Sequence, residues 1–357
     1  MKFSCALLLS GITRLAYGSD TDSLCIAPGT CQPPSDSNYE VLGRIEAVPR
    51  KQWGDSGGFC GALSIQVIGM SFGVWHSQDV IRKQAPRSDP LGHGDDTLGY
   101  EILHSNINGA MENLGFEYES WDWETQPKPQ GKNYLQWMKH KLASDNGIVQ
   151  FVLCKGDRHN SYGPPSDPVP YDHIEPFFKL YSFDGDGDVR DDDIVVHGSD
   201  YSPDGKDNFG YFRQFDSLLD SLDMEGNCAN AGSGYGKNEM YPCIFEDQTY
   251  GTAISAIKGL DAGDIKVSLT VNATDEADVR EDEPPTPLQG TLKIRGLSAG
   301  EHYVLQRFDG LGNFPIYGNT PSATYKLEGT DEDVVIWIDP VTFISNNSTL
   351  YTVVNAQ

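Results

Sequence analysis

The segment QWGDSGGFCGALS, residues 52–64, contains two candidate nucleophiles, Ser56 and Cys60. Glycines stand close to both, and glycine lets a backbone and a substrate approach each other closely. The residues after Cys60, GALSIQVIGMSFG, are small or apolar, which predicts a helix that is buried on most sides. Cys60 is therefore expected at the point where a glycine-rich loop enters a helix, a position that favours a reactive thiolate.

Ser56 lacks the partners that a serine nucleophile needs. The string GDSGG resembles the serine signature of trypsin-like proteases, in which the histidine and the aspartate of the triad precede the serine. The first histidine of this chain is His76, downstream of the string, so nothing upstream supplies a base. The match to the serine signature is therefore interpreted as coincidental.

The cysteine has more support from the rest of the chain. RKQWGDSGGFCGALSIQ, residues 50–66, resembles the glutamine-to-cysteine segment of papain-like cysteine peptidases, especially the C39-like group. The later order of segments is also similar. A helix and a buried strand (NYLQWMKHKLASDNGIVQFVLC) come before a strand that opens with histidine (YDHIEPFFKLYSFD), and a further strand ends at an acid (IVVHGSDYSP). The resemblance covers roughly residues 40–205.

The resemblance implies a role for four residues. Cys60 is the expected nucleophile and His173 the general base and acid. Asp200 orients that histidine, and Gln52 donates to the oxyanion together with the Cys60 N–H. Gln52 lies further from Cys60 than the family pattern usually has, and the hairpin after His173 is longer than usual.

The third member of the site is open to alternatives. A hairpin centred near Asp188 brings His173 opposite residues 200–203, which favours Asp200 over Asp184. His197 is an outside candidate. Structural interpretations also stand: Cys60 as a small core residue, His173 as a strand histidine, and Asp200 as a turn former.

The predicted fold class is α+β. We expect a signal peptide over residues 1–18, a polar arm over 19–40, a papain-like domain over 41–262 and a small β-sandwich over 263–357. Helices are expected in EILHSNINGAMENLG, closed by Gly115, and in NYLQWMKHKLASDNG, with Asn133 as cap. The β-sandwich is expected from six short alternating runs after residue 264.

The expected signal peptide predicts a secreted protein, and charge and cysteines add expectations about its partners and disulfides. The formal net charge is −26, which disfavours nucleic acid and anionic membranes and favours cationic partners or calcium. A cationic or glycan partner is expected to bind through the β-sandwich. Local disulfides are expected between Cys25 and Cys31 and between Cys228 and Cys243, with Cys60 left free. A bridge from Cys60 to Cys154 is the alternative. Three glycosylation sequons begin at Asn272, Asn346 and Asn347.

An acidic loop, DGDGDVRDDD at residues 184–193, spaces Asp184, Asp186 and Asp188 as the first ligands of a calcium loop. The glycine and glutamate of an EF-hand are missing, so the loop is interpreted either as a solvated turn or as a structural calcium site. No motif indicates a required cofactor.

The expected function is therefore that of a secreted cysteine-type peptidase or amidase. Papain-like scaffolds also serve acyltransferases, and an inactive scaffold acting as a binding or adhesion protein is a further alternative. A carbohydrate-active enzyme would require a wide cleft lined by aromatic residues such as Trp121, Trp123 and Trp137.

Overall fold

The fold combines α-helices with antiparallel sheets, which confirms the predicted α+β class. The computed structural model describes residues 39–43, 59–86, 100–103, 105–122, 125–126, 130–155, 170–190, 192–198, 210–214, 251–260, 265–271, 287–344 and 346–356. Within these ranges, no helix has the length and apolar character that crossing a bilayer requires.

Four α-helices lie in the described part of the chain. They are α1 (Cys60–Met70), α2 (Gln78–Gln84), α3 (Ile107–Leu114) and α4 (Gly131–Ala143). All eleven residues of α1 are buried, as its composition predicts. Helix α3 ends at Gly115 with φ of 79°, a left-handed conformation that glycine adopts at little cost.

The predicted start of α4 at Asn133 is wrong. The cap position is Gln130, whose carbonyl oxygen accepts a hydrogen bond from the Tyr134 N–H at 2.7 Å. The Gln130 side chain is fully buried, and its Oε1 accepts from the Trp121 indole N–H at 2.9 Å. This tertiary contact fixes the start of the helix upstream of the local capping signal.

Sixteen strands are described. They are β1 (Glu40–Leu42), β2 (Val74–His76), β3 (Phe116–Ser120), β4 (Gly147–Lys155), β5 (Pro170–Ser182), β6 (Ile194–Gly198), β7 (Gly210–Gln214), β8 (Gly251–Ile257), β9 (Lys266–Val271), β10 (Pro287–Leu288), β11 (Gly290–Arg295), β12 (His302–Asp309), β13 (Ala323–Glu328), β14 (Val334–Ile338), β15 (Phe343–Ile344) and β16 (Ser348–Asn355). Two short 3-10 helices, Leu311–Asn313 and Pro315–Tyr317, follow β12.

The larger sheet has seven strands in the order β3-β8-β4-β5-β6-β7, with β1 paired to β5. All of its described pairings are antiparallel. Strand β5 is central, since it pairs with β1, β4 and β6. Helices α1 and α4 supply the apolar clusters that cover this sheet.

The C-terminal strands form two smaller sheets, β14-β11-β9 and β13-β12-β16-β2, beside the short pair β10-β15. All six runs expected after residue 264 are strands. Strand β2 comes from the N-terminal half of the chain and pairs with β16, with Trp75 opposite Thr349.

One apolar cluster spans the predicted boundary at residue 263. It contains Ile65 and Ile68 of α1 together with Leu269, Leu292 and Leu305 of the C-terminal sheets, all fully buried. The two predicted domains therefore share both a strand and a core.

Candidate functional site

Cys60 is the first residue of α1, and its thiol is unpaired and buried, with 6% of its surface exposed. The alternative of a Cys60–Cys154 disulfide is therefore wrong. The preceding residue, Phe59, occupies the cap position, and its own side chain makes no capping hydrogen bond. The N–H groups of the first turn and the helix dipole stabilise negative charge at a helix start.

The start of α1 packs against β5 at the residue after His173. A Cβ built on Gly61 would lie 2.6 Å from the Ile102 Cβ and 2.9 Å from the Ile174 Cδ1. No side chain larger than hydrogen fits this contact without displacing a neighbour. The sequence predicts that Gly61 lets backbone and substrate approach each other closely. In the structure, the packing of α1 on β5 requires glycine at this position.

A shared hydroxyl ties the same two segments together. Ser64 Oγ lies 2.9 Å from the Cys60 carbonyl oxygen and 3.2 Å from the Ile174 carbonyl oxygen. Ser64 is fully buried, so both contacts are shielded from water. The backbones of Cys60 and Ile174 are therefore held within reach of a single side chain.

His173 lies in β5, where its backbone pairs with Val152 of β4. The hairpin from β5 to β6 has Tyr181 opposite Ile194 and Phe177 opposite His197. Both pairs place the centre of the hairpin close to Asp188, as predicted, whereas the expected pairing of His173 with residues 200–203 lies outside the described residues. Strand β6 ends at Gly198, and Asp200 lies outside the described residues.

Several other predictions also fall outside the described residues. Gln52 and Ser56 do so, as do Trp123, the sequon residue Asn272 and the four cysteines of the two expected local disulfides. Their roles remain predictions.

His197, the outside candidate, belongs to a different environment. Its Nδ1 lies 2.7 Å from Glu175 Oε2, and both side chains are buried in the sheet. Its ring also contacts that of Phe177, which packs in the cluster formed with α4. Ile174 belongs instead to the cluster that contains Cys60. His197 is thus placed with the α4 side of the sheet, away from Cys60.

A cation that the sequence analysis did not single out lies near the start of α1. The guanidinium carbon of Arg82, in α2, lies 4.2 Å from the centre of the Phe59 ring, and Arg82 is only 4% exposed. Arg82 thus places a buried positive charge against the residue that precedes Cys60. The contact joins separate elements, so no local motif could have revealed it.

The acidic loop is organised by a lysine. The Lys139 ammonium bonds to Asp184 and Asp193, and His140 bonds to Asp186. The described residues hold no group of three or more His, Cys, Asp or Glu side chains arranged to bind a metal ion. The Lys139 hydrogen bond keeps the pKa of Asp184 below its usual value. Calcium at Asp184, Asp186 and Asp188 stays a prediction, and the lysine offers a competing account of the same acids.

The aromatic residues considered for a glycan cleft are partly core residues. Trp121 is 5% exposed and packs edge-on against Tyr134 of α4. Trp137 stacks on the same tyrosine, and its indole N–H donates to Glu119. Trp121 is therefore a packing residue, and the carbohydrate hypothesis gains no support from it.

Comparisons with known proteins add little. No protein-family model matches the chain, and no curated protein matches it. Among solved structures, the chain is similar to a clostridial cysteine protease after propeptide cleavage, with 9% identity and a TM-score of 0.31. The match covers 86% of this chain and 80% of that one. A likeness at this level carries no argument about function, which has to be drawn from the site itself.

Proposed function

We propose that the protein is a secreted, papain-like cysteine peptidase or amidase with Cys60 as its nucleophile. The observation that carries the proposal is the position of Cys60, an unpaired cysteine at the start of a helix that packs on β5 at Ile174, the residue after His173. A thiolate at a helix N-terminus is stabilised by the dipole, and an adjacent imidazole completes an acyl-transfer pair. Both groups come from the elements that the sequence pattern predicts.

The proposed reaction has two steps. The Cys60 sulfur attacks the carbonyl carbon of an amide while the Cys60 N–H and Gln52 stabilise the oxyanion. His173 protonates the leaving amine, so the C–N bond breaks and a thioester remains. Water then attacks the thioester with His173 as base, which releases the acid and restores the thiol. An acyltransferase would follow the same path with an amine or alcohol in place of water.

The proposal requires a particular conformation of β5 at His173. Residues that alternate along a regular strand face opposite sides of the sheet, and Ile174 faces α1. Catalysis by His173 therefore requires that β5 depart from regular pleating at that residue. Asp200 as the orienting acid is part of the same proposal, as are secretion, a peptide or amide substrate and independence from cofactors.

Labelling with an electrophilic peptide probe tests the proposal. We expect the wild-type protein to be labelled at Cys60 and the Cys60→Ala variant to be unlabelled. Cys154→Ala serves as the matched control and should keep the labelling. If the native wild-type protein is labelled no faster than a denatured sample, the proposal that the protein is an enzyme is rejected.

A binding function is the second candidate, and β14 favours it. This strand lies at the edge of its sheet and exposes Ile336 and Ile338 by 55% and 57%. Val341, just beyond the strand, is 53% exposed. Exposed apolar side chains on an edge strand are typical of surfaces that receive a partner. Binding of a partner protein that is as tight in Cys60→Ala as in the wild type would favour this function over catalysis.

A further inference from the structure

Lys139 is a buried cation surrounded by oxygen atoms of the β5–β6 hairpin. Its side chain has no exposed surface. The ammonium lies 2.7 Å from Asp184 Oδ1, 2.9 Å from Asp193 Oδ2, 3.0 Å from Ser182 Oγ and 2.8 Å from the Asp188 carbonyl oxygen. Four oxygens from one hairpin thus converge on one nitrogen, an arrangement that hard cations also prefer.

The same face of α4 contacts the loop at two further points. Gln136 Nε2 donates to the Gly187 carbonyl oxygen at 3.0 Å, and Gln136 Oε1 accepts from the Val189 N–H at 2.6 Å. His140 Nδ1 lies 2.5 Å from Asp186 Oδ1. Residues 136, 139 and 140 share one helix face because their spacing is that of adjacent turns. The helix therefore holds the whole loop from Asp184 to Val189.

The cluster has more acceptors than the lysine uses. Residues 184–193 contain six aspartates and one arginine. Asp193 is fully buried; its Oδ2 also accepts from the Arg190 N–H, whereas its Oδ1 has no hydrogen-bond donor among the described residues. A buried carboxylate oxygen without a donor is costly, and it is a spare ligand beside the ammonium.

We propose that Lys139 is the built-in cation of this hairpin: its ammonium occupies a cation site and fixes β5 and β6 on α4 without a metal ion. The wild-type protein therefore folds independently of calcium. Because β5 carries His173 and β6 leads towards Asp200, Lys139 is also a positioning residue for the active site. This last step rests on the proposed function.

Removing the ammonium while leaving space tests the proposal. In Lys139→Ala the two carboxylates lose their partner, and we expect the midpoint of thermal unfolding to fall by on the order of 10 °C in the presence of chelator. Millimolar calcium should restore much of the loss, because the vacated space and the spare oxygen of Asp193 accept the ion. Lys139→Met is the matched control: it removes the same charge but fills the space, so calcium should restore little.

Unfolding of the wild-type protein in calcium and in chelator is the second test of the proposal. We expect equal unfolding midpoints in calcium and in chelator. A midpoint that rises with calcium, and no longer does so in Asp184→Asn, would show that the loop binds calcium beside Lys139 and would overturn the proposal. Equal responses of Lys139→Ala and Lys139→Met to calcium would overturn it as well. If Lys139→Ala is recovered unfolded, refolding in calcium but not in chelator supports the proposal, and failure in both contradicts it.

These measurements follow folding, so they do not depend on whether the protein is an enzyme. The positioning role has its own readout, the rate of Cys60 alkylation in Lys139→Ala. We expect that rate to be lower than in the wild type and to rise with calcium. A rate that calcium leaves unchanged while the unfolding midpoint recovers would limit Lys139 to a purely structural role.

Discussion

At the candidate site, some single residues can be recognised from the sequence and others cannot. Cys60 is recognisable from its sequence context, since a glycine-rich loop before a buried apolar run is a local signal. The roles of Ser64, which contacts the Cys60 carbonyl, and of Arg82, which contacts Phe59, are not recognisable, because these side chains join residues far apart in the chain. Lys139 is a similar case: its burial depends on acids that lie more than forty residues further along the chain.

His76 provides a prediction at the same scale. It is fully enclosed near the rings of Phe116 and Phe314, and its Nδ1 lies 2.8 Å from Ser348 Oγ. Burial lowers the pKa of His76 from 6.5 to about 3. Below pH 6.5 the unfolded chain takes up a proton that the native protein refuses, so the free energy of unfolding falls as the pH decreases towards 3 and is unaffected above 6.5.

Denaturant unfolding at pH 7.5 and pH 5 measures this effect. We expect His76→Gln to remove about 2 kcal/mol of the wild-type loss between these two values. The exposed His302 is the matched control, and His302→Gln should change the difference little. Identical pH dependence in the wild type and in His76→Gln would show that His76 does not stay neutral in the folded protein.

At the scale of elements, the packing of α1 on β5 positions the site. Gly61→Ala would push the new methyl group against Ile102 and Ile174. We expect a loss of about 1 to 3 kcal/mol in the free energy of unfolding and slower alkylation of Cys60, because the helix start must move away from the strand.

Gly312 offers a control for this substitution, since a Cβ there meets nothing within 4 Å. Gly312→Ala should leave both the stability and the alkylation rate close to the wild-type values. A stable Gly61→Ala protein with unchanged alkylation would mean that the contact does not position Cys60.

The elements with strong periodicity were predictable, and the short ones were not. Strands β4, β5 and β6 and the six C-terminal runs follow from alternation and turn residues. Strand β8 is not predictable, although in the sheet it lies between β3 and β4. Its sequence, GTAISAI, does not alternate between polar and apolar residues. Strand β2 has only three residues, so its pairing with β16 depends on tertiary structure alone.

At the scale of the whole molecule, the shared core predicts that the N-terminal part cannot fold alone. A chain ending at residue 262 would lose β16, the partner of β2, and the apolar residues that cover Ile65 and Ile68. We expect this truncated protein to show no cooperative unfolding transition and to aggregate, because a large apolar surface becomes exposed.

The full-length chain prepared in the same way is the control. A soluble truncated protein that unfolds cooperatively and alkylates at the wild-type rate would show that the chain divides into two independent domains at residue 263. The sequence could not indicate the sharing of the core, since composition changes sharply at that point while packing does not.

The most direct test is the rate of Cys60 alkylation by iodoacetamide at pH 6 in the wild type, in His173→Ala and in His302→Ala. A thiolate paired with an imidazolium reacts at this pH, whereas an ordinary thiol is mostly protonated. We expect fast labelling of Cys60 in the wild type and in His302→Ala, and a loss of at least roughly tenfold in His173→Ala. Equal rates in all three proteins, at the level of a free thiol, would contradict the assignment of Cys60 and His173 as a catalytic pair.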